Sequence, residues 1–473
     1  MDLSNYLLMK QEMSLMVVFF ILIVYDLFAS EKFKKYYLPV ACLLFLAHTI
    51  YGFLPQATGS SFSGMYVSGT AQNMIKNILN IGVLLVFLQS NSWLAKPDAI
   101  FKRGEFFMLT LLTLFGMYIM ISSGNFILFY IGLETASLPM ASLVAFNKYE
   151  NNSAEAGAKY IFNAVFSSAI LLFGISLIYG AFGTLYFNDL AVNLHPTPLL
   201  IMAMVFFLVG LFFKISLVPF HFWTADVYQG APTSVTAYLS TVSKGAAVFA
   251  MMTILYKMFA NLAFEWQGLL WWVVLITITI GNLFAMRQTN LKRFLAFSSI
   301  SQAGYIALSV LAGSAQGMAS TIYYIFVYVF SNMAAFGVIN AIETKTGKVD
   351  MRDYDGLYST NPKLALIMMI AFFSLGGIPP TAGFFSKFFV FTAAANQGQY
   401  LLVFFALINT IISLYYYLLV VKAMFINKSD SPVEYFRSDS YMKISLVICF
   451  VGLLTIGFAS GIYQYLTQIS FGM

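Results

Sequence analysis

Apolar runs separated by short polar breaks repeat along the whole chain. Most runs have about 18–25 residues, the length that lets a helix cross the hydrocarbon core of a bilayer. The pattern predicts fourteen membrane-spanning helices, which we call spans and number in chain order: 13–29, 38–55, 70–90, 105–122, 125–146, 155–180, 198–226, 231–256, 268–286, 294–312, 317–341, 362–395, 400–422 and 443–466. The third span is the weakest by hydropathy.

The composition excludes a soluble protein. Of the 473 residues, 60% are hydrophobic and 9% are charged, whereas soluble domains carry about 25% charged residues. So many apolar side chains can be covered only by lipid and by other helices in a membrane. The sequence therefore predicts an all-α, multi-pass membrane protein.

The basic residues are distributed unequally between alternate connections. Eighteen of the 25 Lys and Arg residues lie on the odd-numbered connections, whereas the even ones and both ends carry only Lys10 and Lys257. Cytoplasmic loops are enriched in Lys and Arg. We therefore expect the odd connections inside and both termini outside. The net charge of +6 then needs no nucleic-acid partner.

Two spans are interrupted by helix-breaking residues. The seventh contains Pro219 in F-K-I-S-L-V-P-F-H, and the twelfth contains S-L-G-G-I-P-P-T-A-G-F at 374–384. Such breaks are tolerated at membrane depth only where protein or water satisfies the freed carbonyls. A pair of interrupted spans is typical of transporters built from inverted repeats. Because the two lie five spans apart, we expect spans 4–8 and 9–13 to be oppositely oriented five-helix repeats, each with one broken helix.

This organisation divides the chain into four parts. Three N-terminal helices occupy 1–104, and the last helix occupies 426–473. The first repeat occupies 105–256 and the second 257–425.

Six ionisable side chains lie within the predicted spans: Lys76, Lys159, Lys214, Lys244, Lys387 and Glu134. A charged side chain at the bilayer centre costs at least ~2.5–3.5 kcal/mol, so it usually faces the interior of a helix bundle or a wet cavity. A row of them indicates a protein that moves protons or other ions.

Lys214 and His221 flank the first break. Lys214 lies about one turn before Pro219, and His221 follows Lys214 by about two helical turns, so the two side chains can share a face. One interpretation is a proton-exchanging lysine with a histidine relay. The other is a lysine in a static ion pair and a histidine that satisfies carbonyls freed by Pro219.

Lys387 follows the second break and is the counterpart of Lys214 in the second half. Lys244 lies ~20 Å into the eighth span at 1.5 Å per residue, too deep for its ammonium group to reach the inner surface. We expect both to exchange protons, with Lys244 as the central relay between the halves.

Glu134 is the only acid at clear mid-depth. A buried carboxylate and a buried ammonium each stabilise the charge of the other, so their approach or separation would switch the proton affinity of a lysine. The alternative is a static ion pair. Lys159, with Asn163 four residues later, is either a relay or an end residue near the inner surface. Lys76, near the outer end of the weak third span, and His48, alone on an apolar span, are interpreted as structural.

The chain offers no recognisable cofactor motif. Cys42 and Cys449 are too far apart in sequence to suggest an iron–sulfur cluster, a zinc site or a disulfide framework, and the three histidines are scattered. There is no P-loop and no Gly-rich dinucleotide fingerprint. We therefore expect no cofactor or metal on this chain.

Five stretches carry a resemblance to known proteins: G-L-E-T-A-S-L-P at 132–139, S-A-E-A-G-A-K-Y at 153–160, the long F-K-I-S-L-V-P-F-H-F-W-T-A-D-V-Y-Q-G-A-P-T-S-V-T-A-Y-L-S-T-V-S-K at 213–244, R-Q-T-N-L-K-R-F-L-A-F-S-S-I-S-Q-A-G-Y at 287–305, and S-L-G-G-I-P-P-T-A-G-F-F-S-K-F at 374–388. Over about residues 100–466 the chain resembles the antiporter-like subunits of the bacterial proton-pumping NADH:quinone oxidoreductase, respiratory complex I. Related subunits usually have glutamate where Lys387 stands, and lysine there and in T-V-S-K resembles the subunit N group.

The resemblance implies a proton-translocating subunit of the membrane arm. It assigns roles to six residues: Glu134 paired with Lys214 in the first half-channel, Lys159 and His221 in proton uptake, Lys244 as the central lysine, and Lys387 in the outward half-channel. Each repeat would then hold one proton half-channel.

The same resemblance places the redox chemistry elsewhere. NADH oxidation and quinone reduction, with the flavin and iron–sulfur clusters, would take place on other subunits. The expected partners are adjacent antiporter-like and small membrane subunits, membrane lipids and protons, with no nucleic acid. The expected location is the bacterial inner membrane, with both termini on the periplasmic side.

The sequence departs from the family pattern at two places. Many members have a histidine in the tenth span where this chain has Gln302, which cannot titrate, so water would have to bridge a path through it. The third span starts T-A-Q-N-M, without the acid that many relatives have.

Two alternatives stay open. A cation/proton antiporter subunit of the same fold is one, although Lys387 argues against it. An unrelated solute permease is the other, and it would favour pockets rich in Asn, Ser and backbone groups at both breaks.

Overall fold

The structure, a computed structural model, describes residues 4–96, 99–429 and 431–473. Its α-helices are α1 Ser4–Leu7, α2 Lys10–Phe28, α3 Glu31–Lys34, α4 Tyr37–Phe53, α5 Thr70–Leu94, α6 Arg103–Ile121, α7 Phe126–Val144, α8 Asn151–Phe182, α9 Phe187–Asn193, α10 Pro198–Ile215, α11 Trp223–Gly230, α12 Thr233–Tyr238, α13 Lys244–Lys257, α14 Ala263–Ala285, α15 Leu291–Leu311, α16 Ala315–Thr346, α17 Leu357–Thr360, α18 Pro362–Gly376, α19 Ala382–Asn396, α20 Tyr400–Phe425, α21 Ser440–Phe458 and α22 Ser460–Ile469. Short 3-10 or π-helical segments cover Ile100–Lys102, Leu239–Ser243, Ala260–Leu262 and Met351–Tyr354. The predicted all-α class is confirmed.

In the described part of the chain, twelve helices are long and apolar enough to cross a membrane. They coincide with twelve of the predicted spans. The second and twelfth spans correspond to the shorter apolar helices α4 and α18, the latter followed by α19. The count of fourteen crossings therefore stays a prediction.

Both predicted helix breaks are present, and the two helices before them end with the same backbone conformation. After α10, Ser216 adopts a left-handed conformation with φ 67°, and after α18, Gly377 does so with φ 86°. In each case the next backbone N–H donates to the carbonyl five residues earlier, at 2.8 Å, which closes the end of the helix in the manner of a Schellman motif. The inverted repeats and their boundaries stay predictions.

Close contact at the second break depends on Gly383. A Cβ atom at this position would lie 1.8 Å from the backbone oxygen of Ser374. Only glycine therefore lets α19 begin so close to the end of α18.

The centre of the protein is formed by α12 with α13, α15 and α16. The most apolar stretch is 100% buried in Thr233–Lys257 and 94% buried in α15 and in α16, against 28% in α2 and 33% in α21. Lys244 accordingly lies at the centre, while the outer helices present apolar faces suited to lipid.

An irregularity in the eighth span was not predicted from its residues. Leu239–Ser243 form a π-helical turn between α12 and α13, immediately before Lys244. Such turns frequently lie at functional sites.

Helices α2, α4 and α5, which we call the N-terminal bundle, pack together and against α6. Strands β1 Gly59–Ser61 and β2 Tyr66–Ser68 form an antiparallel hairpin between α4 and α5. A β-bridge between Tyr66 and Ser123 ties the hairpin to the segment that connects α6 with α7.

Candidate functional site

Lys214, at the end of α10, forms hydrogen bonds with two hydroxyl groups from other helices. Its side chain is buried, and Nζ donates to Ser137 Oγ at 2.7 Å and to Tyr160 OH at 3.2 Å. Ser137 lies on α7 and Tyr160 on α8. The end of α10 is thus joined to the two preceding long helices by one ammonium group.

Glu134 lies near Lys214 without touching it. It is one turn before Ser137 on α7, is half-buried, and accepts a hydrogen bond from Ser168 of α8. The carboxylate is close enough to interact electrostatically with Lys214, but no ion pair within 4.0 Å joins the two among the described residues. In place of the direct pairing implied by the resemblance, Glu134 accepts from Ser168 on α8 and Lys214 donates to Ser137 and Tyr160.

Lys159 lies in an exposed ion cluster. Its Nζ is 2.6 Å from Asp226 Oδ2 and 2.7 Å from Glu155 Oε1, and its side chain is 41% exposed. Arg293 Nη1 approaches the other oxygen of Asp226 at 2.7 Å. The placement matches the end-residue alternative for Lys159 rather than a site at membrane depth, and its part in proton uptake stays a prediction.

His221 lies within the first break, between α10 and α11. Its ring is buried and packs on Phe222, with ring centroids 4.4 Å apart. Nδ1 has no hydrogen-bond partner in the described structure, and no hydrogen bond joins the ring to Lys214. The shared face expected from the seven-residue spacing is interrupted because the chain leaves the helix at Ser216.

Lys244 begins a hydrogen-bond chain through the centre of the protein. Nζ donates to Ser299 Oγ at 2.8 Å, and Tyr328 OH donates to the same oxygen at 2.9 Å. Asn332 then donates to Tyr328 OH at 3.2 Å and to Ser240 Oγ at 2.7 Å. These groups come from α13, α15, α16 and the π-helical turn, so the irregular turn and the lysine belong to one network.

The centre is also linked to the first break. The ring of Tyr228, on α11, has its centroid 5.5 Å from the Nζ of Lys244, within the range of a cation–π contact. The short helix that follows the first break therefore contacts the central lysine.

Gln302 occupies the path between the centre and the second break. It lies one turn after Ser299 on α15, and its Nε2 donates to Tyr417 OH at 3.2 Å and to the backbone oxygen of Leu375 at 3.1 Å. Tyr324 donates to its Oε1. Both the nitrogen and the oxygen of the amide thus form hydrogen bonds. The amide joins the central helices to a carbonyl group left free by the helix break.

Lys387 binds the neighbouring carbonyl. Its buried Nζ donates to the backbone oxygen of Gly376 at 3.1 Å, and the ring of Tyr305 lies 4.7 Å away. Gln302 and Lys387 therefore bind two successive carbonyls, those of Leu375 and Gly376, at the end of α18. Lys214 has hydroxyl partners at its break, whereas Lys387 has a backbone partner.

Lys76 forms a fully buried ion pair. Its Nζ lies 2.5 Å from Glu12 Oε1, with the two side chains 0% and 1% exposed, and it also donates to Tyr66 OH at 3.2 Å. In the sequence, Glu12 lies just before the first span and Lys76 lies near the outer end of the third, close to its first residue. Nothing in the spacing joined them, because they are 64 residues apart.

The structure brings three of the six predicted site residues, Glu134, Lys214 and Lys244, next to hydroxyl groups that the sequence analysis did not single out. Ser137 and Tyr160 bind Lys214, and Ser299 binds both Lys244 and Tyr328. The run S-S-I-S-Q at 298–302 was the available signal, because so many polar residues on a buried span must find partners.

No group of three or more His, Cys, Asp or Glu side chains that could hold a metal ion occurs in the described residues. Cys42 and Cys449 are buried free thiols.

Known proteins similar to this chain are membrane subunits. Residues 123–413 match the family described as NADH:quinone oxidoreductase/Mrp antiporter, TM. The NADH-quinone oxidoreductase subunit N of Azobacteroides pseudotrichonymphae genomovar. CFP2 is 54% identical over 477 residues, covering 100% of this chain and 99% of that protein. The protein of the same name from Phocaeicola vulgatus is 56% identical over 469 residues, covering 99% of each. A chain in the structure of respiratory complex I from Thermus thermophilus with bound aureothin superposes with a TM-score of 0.79 at 29% identity, covering 98% of this chain and 100% of that one.

Proposed function

The chain belongs to the NADH-quinone oxidoreductase subunit N family, and from this membership we propose that it translocates protons within the membrane arm of an NADH:quinone oxidoreductase. NADH oxidation and quinone reduction, with their flavin and iron–sulfur clusters, take place on other subunits of that complex. This chain uses the energy that those reactions release.

The observation that carries the proposal is the environment of Lys214, Lys244 and Lys387. Each is buried at an interruption of regular helix, and each contacts hydroxyl or carbonyl groups instead of a carboxylate. A buried ammonium without a carboxylate partner is costly, while a hydroxyl group can serve both the charged and the neutral amine because it donates as well as accepts. Such lysines are suited to binding and releasing protons.

The proposed path runs through the three lysines in order. Protons enter near the Lys159 and Asp226 cluster and His221, and reach Lys214 beside Glu134. They continue to Lys244, whose partner Ser299 lies one turn from Gln302. From Gln302 the path reaches Lys387 at the second break and then the opposite face.

Glu134 acts as the switch in this scheme. In the structure it is turned toward Ser168 and away from direct contact with Lys214. When it approaches, it stabilises the charged lysine, and when it withdraws, the proton is released toward Lys244. Moving one charge against 100 mV requires ~2.3 kcal/mol. The redox reactions supply this energy, and the approach and withdrawal of Glu134 convert it into a change in the proton affinity of Lys214.

The proposal includes an orientation of the chain in the membrane. The basic odd connections face the cytoplasm, both termini face the periplasm, and the chain lies in the inner membrane beside other antiporter-like and small membrane subunits. Residues 105–256 and 257–425 are the two inverted repeats, each with one half-channel. The matching closure of α10 and α18 supports this arrangement.

A cation/proton antiporter subunit is the second candidate, because the matched family description includes Mrp antiporters. Lysine at position 387 and the names of the similar full-length proteins favour the respiratory complex. The candidate would gain support from sodium transport by the isolated chain.

Replacing Lys244 in the intact complex tests the proposal. Lys244→Met should lower the number of protons pumped per NADH oxidised in proteoliposomes, because it removes the central proton carrier. Lys257→Met is the matched control, since Lys257 lies at the exposed end of the same helix α13, and it should pump normally. Unchanged pumping by Lys244→Met would contradict the proposal.

A further inference from the structure

We propose that Glu12 and Lys76, with the hydroxyl groups around them, form a further proton-binding site in the N-terminal bundle, from which protons leave toward the outer face. This inference rests on the proposed function and extends it to a part of the chain outside the three-lysine path.

The site has a buried ion pair at its centre. Lys76 Nζ contacts Glu12 Oε1 at 2.5 Å and Tyr66 OH at 3.2 Å. The rings of Tyr66 and Tyr118 each lie 5.4 Å from Nζ. Both charges are therefore withdrawn from solvent and from lipid, and the groups nearest to them are hydroxyls that can pass protons.

One oxygen of the carboxylate is without a donor. Glu12 Oε2 is buried and has no hydrogen-bond partner in the described structure. The same holds for Gln11 Oε1 and Asn73 Oδ1, and the Gln11 amide nitrogen donates to the Asn73 backbone oxygen at 3.5 Å. Buried acceptors are nearly always satisfied in native proteins, so a buried carboxylate oxygen without a donor is a position at which a proton can bind.

A hydrogen-bond chain lies beside the ion pair and starts at Tyr118, whose ring is 5.4 Å from Lys76 Nζ. Tyr118 donates to Asn80 Oδ1, and His48 Nε2 lies 3.3 Å from Asn80 Nδ2 and 3.2 Å from Tyr118 OH. The other ring nitrogen of His48, Nδ1, lies 2.8 Å from Ser14 Oγ. Helices α2, α4, α5 and α6 are thus joined by side-chain hydrogen bonds, and His48 lies at the centre of this chain.

One tyrosine lies near both this cluster and the first lysine site. Tyr238, on α12, is close enough to interact electrostatically with Tyr160, the partner of Lys214, and with Tyr118. Its hydroxyl group lies 2.6 Å from Thr113 Oγ1 on α6. Tyr238 therefore lies between Tyr160, which binds Lys214, and Tyr118 beside the N-terminal bundle.

The position of the cluster suits release on the outer side. Lys76 lies six residues, or roughly 9 Å, from the start of α5. Its partner Tyr66 belongs to the β-hairpin that closes this end of the bundle. In the proposed orientation, the hairpin lies on an even, outer connection.

The ion pair explains how a proton would be released. A proton that binds to Glu12 Oε2 neutralises the carboxylate and leaves the ammonium of Lys76 buried without its partner. That state is costly, so it persists only until one of the two groups gives up a proton. Lys76 gives a proton outward by way of Tyr66, and Glu12 passes its bound proton to the neutral amine, so that one proton leaves and the ion pair forms again.

The test removes both charges together in the intact complex. The double variant Glu12→Gln/Lys76→Met has no uncompensated buried charge, so it should assemble and oxidise NADH, but it should lose part of the proton pumping per NADH in proteoliposomes. The matched control is Lys292→Met/Glu343→Gln, which removes a second inter-helix ion pair, with N and O atoms 3.3 Å apart. The control should pump normally. Normal pumping by the first double variant, or an equal loss in the control, would overturn the inference.

A second variant covers the case in which the double variant does not assemble. Lys76→Arg keeps the ion pair but carries a guanidinium that does not release its proton in proteins, so it should hold Glu12 as a carboxylate and lower pumping in an assembled complex. Normal pumping by Lys76→Arg would overturn the inference. Failure of the proposed function is a separate result, because it requires Lys244→Met to pump normally.

Discussion

Lys76 in the N-terminal bundle and the three lysines of the proposed path are all buried, but their ammonium groups have different kinds of partner. Lys76 is neutralised by a carboxylate at 2.5 Å. Lys214, Lys244 and Lys387 are equally buried but contact serine, tyrosine and backbone oxygens. Burial alone therefore does not identify the role of a membrane lysine, because the partner decides whether its charge is held permanently.

The largest effect on stability is expected at Lys76. Lys76→Met leaves Glu12 as an unpaired buried carboxylate, and breaking a buried pair from one side costs about 3–5 kcal/mol. Thermal denaturation of the purified complex should show early loss of this chain. If the single variant is as stable as the double variant Glu12→Gln/Lys76→Met, the unpaired carboxylate of Glu12 has no cost, and Lys76 does not differ from the lysines of the path in the way described.

A smaller effect is expected where backbone forms the lysine site. In Gly383→Ala the new Cβ atom would meet the backbone oxygen of Ser374 at 1.8 Å, and overpacking costs about 1–3 kcal/mol. Since α19 must move, Lys387 should lose its bond to Gly376, and pumping should fall.

The control for this prediction is Gly180→Ala on α8. A Cβ atom at Gly180 meets nothing within 4 Å, so the variant should match the unaltered protein in thermal denaturation and in pumping. Equal behaviour of the two glycine variants would mean that the close approach at the second break does not position Lys387.

The exposed cluster should matter less for stability. Lys159→Ala removes contacts to Glu155 and Asp226, but such solvent-exposed ion pairs contribute about 0–1 kcal/mol. The melting temperature should therefore change little, and what change there is should shrink at high salt. A loss as large as that of Lys76→Met would show that Lys159 is buried in the assembled complex.

The smallest effect on stability, with a large effect on function, is expected at Lys214. Lys214→Met removes an ammonium group that has no carboxylate in contact, so the melting temperature should stay the same or rise. Pumping per NADH should fall sharply because the first carrier is absent. A strong loss of stability would mean that Lys214 is held in a static ion pair. Lys214 and Lys76 would then be stabilised in the same way.

Much of the fold was predictable because the bilayer leaves few choices. Backbone groups in lipid must be satisfied within the chain, so each long apolar run is a helix. Pro219 and the Gly–Gly–Ile–Pro–Pro stretch after Leu375 break their helices for local reasons, and both breaks are present. The π-helical turn at Leu239–Ser243 was not predictable, because its residues are ordinary for a helix and its cause lies in packing.

The charged residues of the candidate site could be predicted from the sequence, but the groups that form hydrogen bonds with them could not. Burial cost alone singles out Lys214, Lys244 and Lys387 within apolar spans. The same criterion left open whether Lys159 is a relay or an end residue near the inner surface, since its exposure depends on how the end of α8 meets Asp226.

The sequence by itself determined which segments are helical, where two of them break and which side chains carry charge into the apolar part. These properties follow from residues close together in the chain. Only the tertiary structure decided that Lys76 meets Glu12, that Glu134 turns to Ser168, and that Gln302 reaches the second break. The reason is that each such contact depends on the rotation and packing of helices far apart in sequence, which a hydropathy pattern leaves open.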